Sequence, residues 1–212
     1  WSSDVCSSDL LLQERARQEQ ERARQEQERA RHQYEASMRA VDQFANTGAF
    51  QLVRRALDGE TGTKEPIAIP PRYAHHKVRT THLPTAQQWD RILFVVPEHL
   101  KGHEAVAAAR AHRESCTKEQ LLWREAVGEM FGLWDRTHKA VSHRVVDDGW
   151  MKDELGPWLA LLYGSAADSV PGSTAMRAYA ARRDASVNGA EALALQWGLC
   201  HEGDGKCRPP CM

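Results

Sequence analysis

Four side chains able to bind a borderline metal, Cys200, His201, Cys207 and Cys211, stand within twelve positions near the end of the chain. Zinc sites commonly pair two close ligands as Cys-x2-4-Cys, with a second pair farther along. Cys207 and Cys211 supply one such pair. Cys200 and His201 supply the other poorly, because adjacent side chains rarely point at one ion. Three readings stay open: a zinc site, a disulfide of an exported protein, or a segment without metal chemistry whose three thiols are free and reactive. The Pro209-Pro210 spacer and the closing Met212 fit a chain cut short at this end, and the third reading is the one expected.

Histidines form the second group: His75, His76, His82, His99, His103 and His112 fall in one region. His99 and His103 have the i,i+4 spacing by which two imidazoles on one helix face share a metal, with Glu104 beside them. No glutamate follows His99 as the zinc-protease pattern requires, and Gly102 intervenes, so a solvated surface is expected here. Ser142, His143 and Asp147 are the residue types of a hydrolytic triad, but a triad is defined by geometry and not by closeness in sequence. No glycine-rich phosphate loop follows a strand, and no RNA-recognition signature is present. Arg182-Arg183 reads as the wet face of a helix. The sequence therefore commits to no catalytic residue, no cofactor and no metal ligand.

The elements that would position these groups are helical. At 42% hydrophobic residues the chain can bury a modest core, and 28 basic against 29 acidic residues give a net charge of −1. That balance argues against a nucleic-acid partner, which calls for a clustered basic excess. No run of about 18 apolar residues occurs, so no transmembrane helix is predicted.

Residues 14–20, Glu-Arg-Ala-Arg-Gln-Glu-Gln, recur unchanged at 21–27 and begin again at Glu28. All are strong helix formers, and the i,i+3 and i,i+4 spacings of Glu and Arg, such as Glu14 with Arg17 and Arg24 with Glu28, add local support. A seven-residue period suggests a coiled coil, whose seam needs two apolar positions per heptad. Only Ala16, Ala23 and Ala30 qualify, so a solvated single-helix spacer is expected, with weak self-association as the alternative.

From Tyr34 a stripe of Tyr34, Met38, Val41 and Ala45 at helical spacing predicts entry into a packed domain. Ala49 to Leu57 reads as a second helix stopped by Asp58-Gly59. The glycines and prolines between 59 and 85 forbid a long helix. Ile92 to Val96 reads as the end of a helix begun near Thr85, with a short strand as the other possibility. Glu104 to His112 is an alanine-rich helix. Thr117 and Gln120 fit a capping box for a helix carrying Leu122, Trp123, Ala126, Val127, Met130, Leu133 and Trp134 inward and continuing through Val141 and Val145. Gly128 and Gly132, one turn apart, would admit a neighbouring helix. Asp147-Asp148-Gly149 predicts a turn, Asp153 to Tyr163 a helix with Pro157 in its first turns, and Thr174 to Arg183 and Gly189 to Trp197 two more.

Two resemblances bear on the ends and the body. Residues 1–10 reverse-translate as TGG AGT TCA GAC GTG TGC TCT TCC GAT CT plus any base, and in that form resemble a common short-read sequencing adapter. The resemblance implies a stretch foreign to the protein, to be left out of fold reasoning, and a native start that is missing. Without Asp4 and Asp9 the acidic count falls from 29 to 27 and the balance becomes +1. Further on, Met38-Arg39-Ala40-Val41-Asp42-Gln43-Phe44 leads to Arg54-Arg55-Ala56-Leu57. Leu121-Leu122-Trp123-Arg124-Glu125 and Val146-Asp147-Asp148 follow. This pattern over residues 13–163 is similar to a group of uncharacterised bacterial membrane-anchored helical proteins; the stretch 59–97 departs from it. The resemblance implies a membrane-tethered helical domain and supplies no active site.

The expected architecture is all-α, a domain of about five to seven helices preceded by a charged single-helix stalk. Its parts are the foreign stretch 1–10, a stalk at 11–31, a helical domain at 32–198 with an irregular insertion at 59–97, and a cysteine-rich tail at 199–212. The expected function is a non-catalytic bacterial scaffold or interaction module, tethered to a membrane through a lost N-terminal segment and taking a protein partner or associating weakly with itself. It would be cytoplasmic or membrane-associated on the cytoplasmic side. The alternative is a metal-binding regulator or metal-dependent enzyme using His99 and His103 or the C-terminal cysteines.

Overall fold

The computed structural model describes residues 3–58, 66–97, 99–182 and 188–200. Helix α1 runs Ser3–Ala45, 43 residues, or about 65 Å at 1.5 Å per residue. Every residue from 11 to 32 is exposed. Gln18 donates to Glu14 (3.3 Å), Gln25 to Glu21 (3.2 Å), and Arg24 pairs with Glu28 (3.3 Å). Such exposed contacts contribute little individually, so helix propensity and their repetition carry the stalk.

The stalk joins the body at Gln33, whose Nε2 donates to the Arg144 carbonyl (2.8 Å). Ser37 is fully buried, and its hydroxyl donates to the Gln33 carbonyl (2.8 Å) and accepts from the Asp147 N–H (2.7 Å). Phe44 ends the contact, edge-on to Phe50 and Trp134 at 4.8 and 4.5 Å. The predicted stripe is corrected here: Tyr34 and Met38 are 50% and 42% exposed, and Ala45 is exposed as well. The helix is rolled by one residue, about 100°. The Phe44 ring reaches the core, and the buried Ser37 hydroxyl pairs with the Asp147 N–H.

Helix α2, Gly48–Leu57, buries Phe50, Leu52, Val53 and Leu57, as its period predicts. The connection that follows is not wholly irregular. Strands β1 (Ile67–Ala68) and β2 (Thr80–Thr81) pair antiparallel around a 3-10 helix, Pro71–His76. Two-residue strands leave no periodicity to read. Helix α3, Ala86–Ile92, opens on a Thr85–Gln88 capping box. It stops at Ile92, so the predicted helix through Val96 is too long. The Arg124 guanidinium donates to the Ile92 and Phe94 carbonyls (2.9 and 3.2 Å), supplying from another helix the partners that the helix end lacks.

Helix α4, Gly102–Ser115, buries no residue. Helix α5, Lys118–Ser142, is central; its predicted capping box is formed, and all seven of its predicted inward residues are buried. It ends before Val145, which is 54% exposed, and Val146 takes the buried place. Helix α6, Asp148–Tyr163, starts five residues earlier than predicted, because the Asp147 carboxylate accepts the Trp150 N–H (2.7 Å) and caps it. Pro157 is therefore interior rather than in the first turns. It costs one helical hydrogen bond, on the exposed side of the helix.

Helices α7 (Ser173–Ala181) and α8 (Gly189–Gln196) complete the body. Helix α5 packs against α2 and α8, and α6 against α1, α7 and α8. At Gly128 the approach comes from a side chain: a Cβ there would lie 3.1 Å from the Tyr179 hydroxyl. A closer approach occurs at Gly189, where a Cβ would lie 2.6 Å from the Asp135 Cα, and the Gly189 N–H donates to the Asp135 carboxylate (2.9 Å). Packing continues past Gly198, since Cys200 is 6% exposed within the core. Among the described residues no helix is long and apolar enough to cross a membrane.

Candidate functional site

The 3-10 helix Pro71–His76 lies against α5 and is pinned there by Tyr73. Its ring is fully buried, and its hydroxyl donates to Glu129 Oε2 (2.7 Å). Burial, reinforced by that carboxylate, pushes the Tyr73 hydroxyl far above its ordinary pKa, so it stays a donor. Arg72 Nε donates to the same oxygen (2.9 Å), and its Nη2 pairs with Oε1.

One turn back along α5, Glu125 receives the two histidines that close the 3-10 helix. His75 Nε2 lies 3.1 Å and His76 Nε2 2.7 Å from Glu125 Oε2. The imidazole centroids are 4.2 Å apart. One donor atom from each of the three residues lies within 4.8 Å of the others, the one such group of three metal-competent side chains among the described residues. Burial pushes the Glu125 carboxyl up, but the bonds from His76 and His75 outweigh it and hold the pKa below 4.5. Glu125 is thus an anion facing two imidazoles.

The residues singled out by sequence fall elsewhere. His99 stands in the turn before α4 and His103 in its first turn, both exposed. They do not share one helix face, because α4 begins only at Gly102, between them. Cys200 is buried and disulfide-bonded, which overturns the expectation of a free thiol there and removes it as a thiolate ligand in this state. His201, Cys207 and Cys211 lie outside the described residues. Ser142 contacts His138 Nε2 (3.3 Å) rather than His143, and Asp147 is committed to capping α6. Arg182 donates to the Val96 carbonyl (2.9 Å), and Arg183 lies outside the described residues. The adjacency of His75 and His76 was legible in the sequence; their partner Glu125, 49 and 50 residues away, was not.

Two clefts are lined in part by α5. One, about 430 Å³, is lined by His82, Pro84, Gln88, Glu119 and Trp123 among others. At its edge Trp123 Nε1 donates to Thr81 Oγ1 (2.9 Å), and Thr81 donates to Glu119. The other, about 470 Å³, runs under α4 between Phe94, Pro97, Leu100, Arg124 and Tyr179. Beside it His112 stacks on Phe94 at 4.4 Å. Burial, with Arg124 and Arg91 nearby, holds the His112 pKa below 6.5.

The fold and this site define a helical body on a single-helix stalk bearing a histidine–carboxylate cluster. No protein-family model matches the chain, and no curated protein or solved structure matches it.

Proposed function

We propose that the protein is a non-catalytic scaffold or interaction module in which α1 holds the helical body away from an attachment at its N-terminal end, a membrane or another protein. The observation that supports this is the uninterrupted exposure of residues 11–32. That segment spans about 33 Å of helix without burying an apolar side chain, which a helix selected for packing would do. Its seam of Ala16, Ala23 and Ala30 suits a spacer better than a dimer. The body offers the exposed surface of α4 as the place for a partner.

Photo-crosslinking tests the reading, with the probe placed at Val106 on α4 in one sample and at Gln20 on the stalk in another. A discrete adduct from Val106 that persists when residues 13–31 are deleted is expected. Diffuse labelling from Val106, or a Gln20 adduct whose mass is a second copy of the chain, counts against it.

A further inference from the structure

We propose that His75, His76 and Glu125 form a binding site for one borderline divalent metal ion of the zinc, cobalt and nickel class, open to solvent at its remaining positions. This goes beyond the scaffold reading, which needs no metal. The decisive feature is the environment of His75. Its Nε2 faces the Glu125 carboxylate at 3.1 Å, and its Nδ1 faces the Arg72 carbonyl oxygen at 3.3 Å. Both neighbours are acceptors. A neutral imidazole carries a single N–H, so with Nδ1–H on the Arg72 carbonyl, Nε2 presents its lone pair toward the Glu125 carboxylate, where a cation can bridge the two. The Nδ1 contact is the one that metal-bound histidines typically make, donating their second N–H to a backbone carbonyl.

The remaining geometry agrees. Ligand atoms bound at about 2.0–2.1 Å in a tetrahedral site stand roughly 3.3 Å apart. The His75 contact at 3.1 Å is within about 0.2 Å of that separation, and the His76 contact at 2.7 Å needs to open by roughly 0.6 Å. The histidine-bearing turn is anchored by Tyr73 and Arg72 to Glu129, four residues along the same helix as Glu125. The donors are therefore held by packing and not by a free loop. His75 and Glu125 are about half exposed, whereas the His76 side chain is only 12% exposed, so an ion would rest on His76 and keep water on its outer side. Two imidazoles and a carboxylate suit ions of intermediate softness rather than calcium or magnesium.

Cobalt(II) titration of the full-length oxidised chain tests the site, because its absorption separates nitrogen and oxygen ligands from thiolates. Saturable uptake of one equivalent, with ligand-field bands and no thiolate charge-transfer band, is expected. Glu125→Gln and His75→Gln, both at exposed positions, should each weaken binding by at least the roughly 10–100-fold that loss of even an outer partner costs, with helicity by circular dichroism unchanged. His99→Gln with His103→Gln should leave affinity unchanged. The proposal is overturned by absence of saturable uptake, by a thiolate band, or by affinity that survives Glu125→Gln and His75→Gln. In the first case the cluster is a hydrogen-bonded pair of imidazoles on a carboxylate.

Discussion

Trp123 and Trp134 lie on one face of α5, each 1% exposed, yet their indole N–H groups differ. Trp123 donates to Thr81 (2.9 Å), while the Trp134 N–H has no partner among the described residues. Truncating either to alanine should cost about 3–5 kcal/mol in urea denaturation. Trp134→Phe should cost distinctly less than Trp123→Phe, since it removes an unpaired buried donor along with the lost volume; equal costs would contradict this. Glu191, in the first turn of α8, makes a pH-dependent case. Burial raises its carboxyl above 4.5, against the opposing bond from Asn188. A raised carboxyl contributes stability that is complete below the unfolded pKa and lost as pH rises through the folded one. Glu191→Gln should therefore raise the thermal midpoint at about pH 7 and lose that advantage near pH 4, where the wild-type carboxyl is protonated. An unchanged difference between the two pH values would refute it.

Among the elements, the stalk and the α7 entry make contrasting demands. A peptide of residues 11–32 should be partly helical, monomeric and less helical at high salt, because it relies on exposed pairs such as Arg24–Glu28 that ions screen. A stable dimer in sedimentation at micromolar concentration would overturn that. At the start of α7, Gly172 has φ of 82°, and a Cβ there would fall 2.3 Å from the Trp89 ring. Gly172→Ala should cost more than the roughly 1–2 kcal/mol of a left-handed L-residue, because the Trp89 ring must also move. Element positions were largely legible where local chemistry decides them: the repeat of α1, the capping box of α5 and the apolar face of α2. They are not legible where another element intervenes. The roll of α1 depends on Phe44 meeting Phe50 and Trp134, and the end of α3 on Arg124 reaching across from α5. The onset of α6 is set locally, since Asp147 is a good N-cap.

Across the molecule, the all-α class, the exposed charged stalk and the central α5 seam are written in local sequence. Each follows from short-range propensity, capping and 3.6-residue periodicity, which a single segment carries within itself. The sequence also supplied a list of metal-competent residue types, and there its reach ended. Spacing along the chain pointed to His99 with His103, which helix α4 does not align because it begins between them. Which distant groups converge depends on the packed fold. A two-residue β ladder and a 3-10 turn lay His75 and His76 against α5, and the register of that contact, set by buried Tyr73 on Glu129, selects Glu125 as their partner. The physical reason is that a site is defined by distances of a few ångströms between residues some fifty positions apart. No local preference encodes such a distance; it is set by the packing of the whole core.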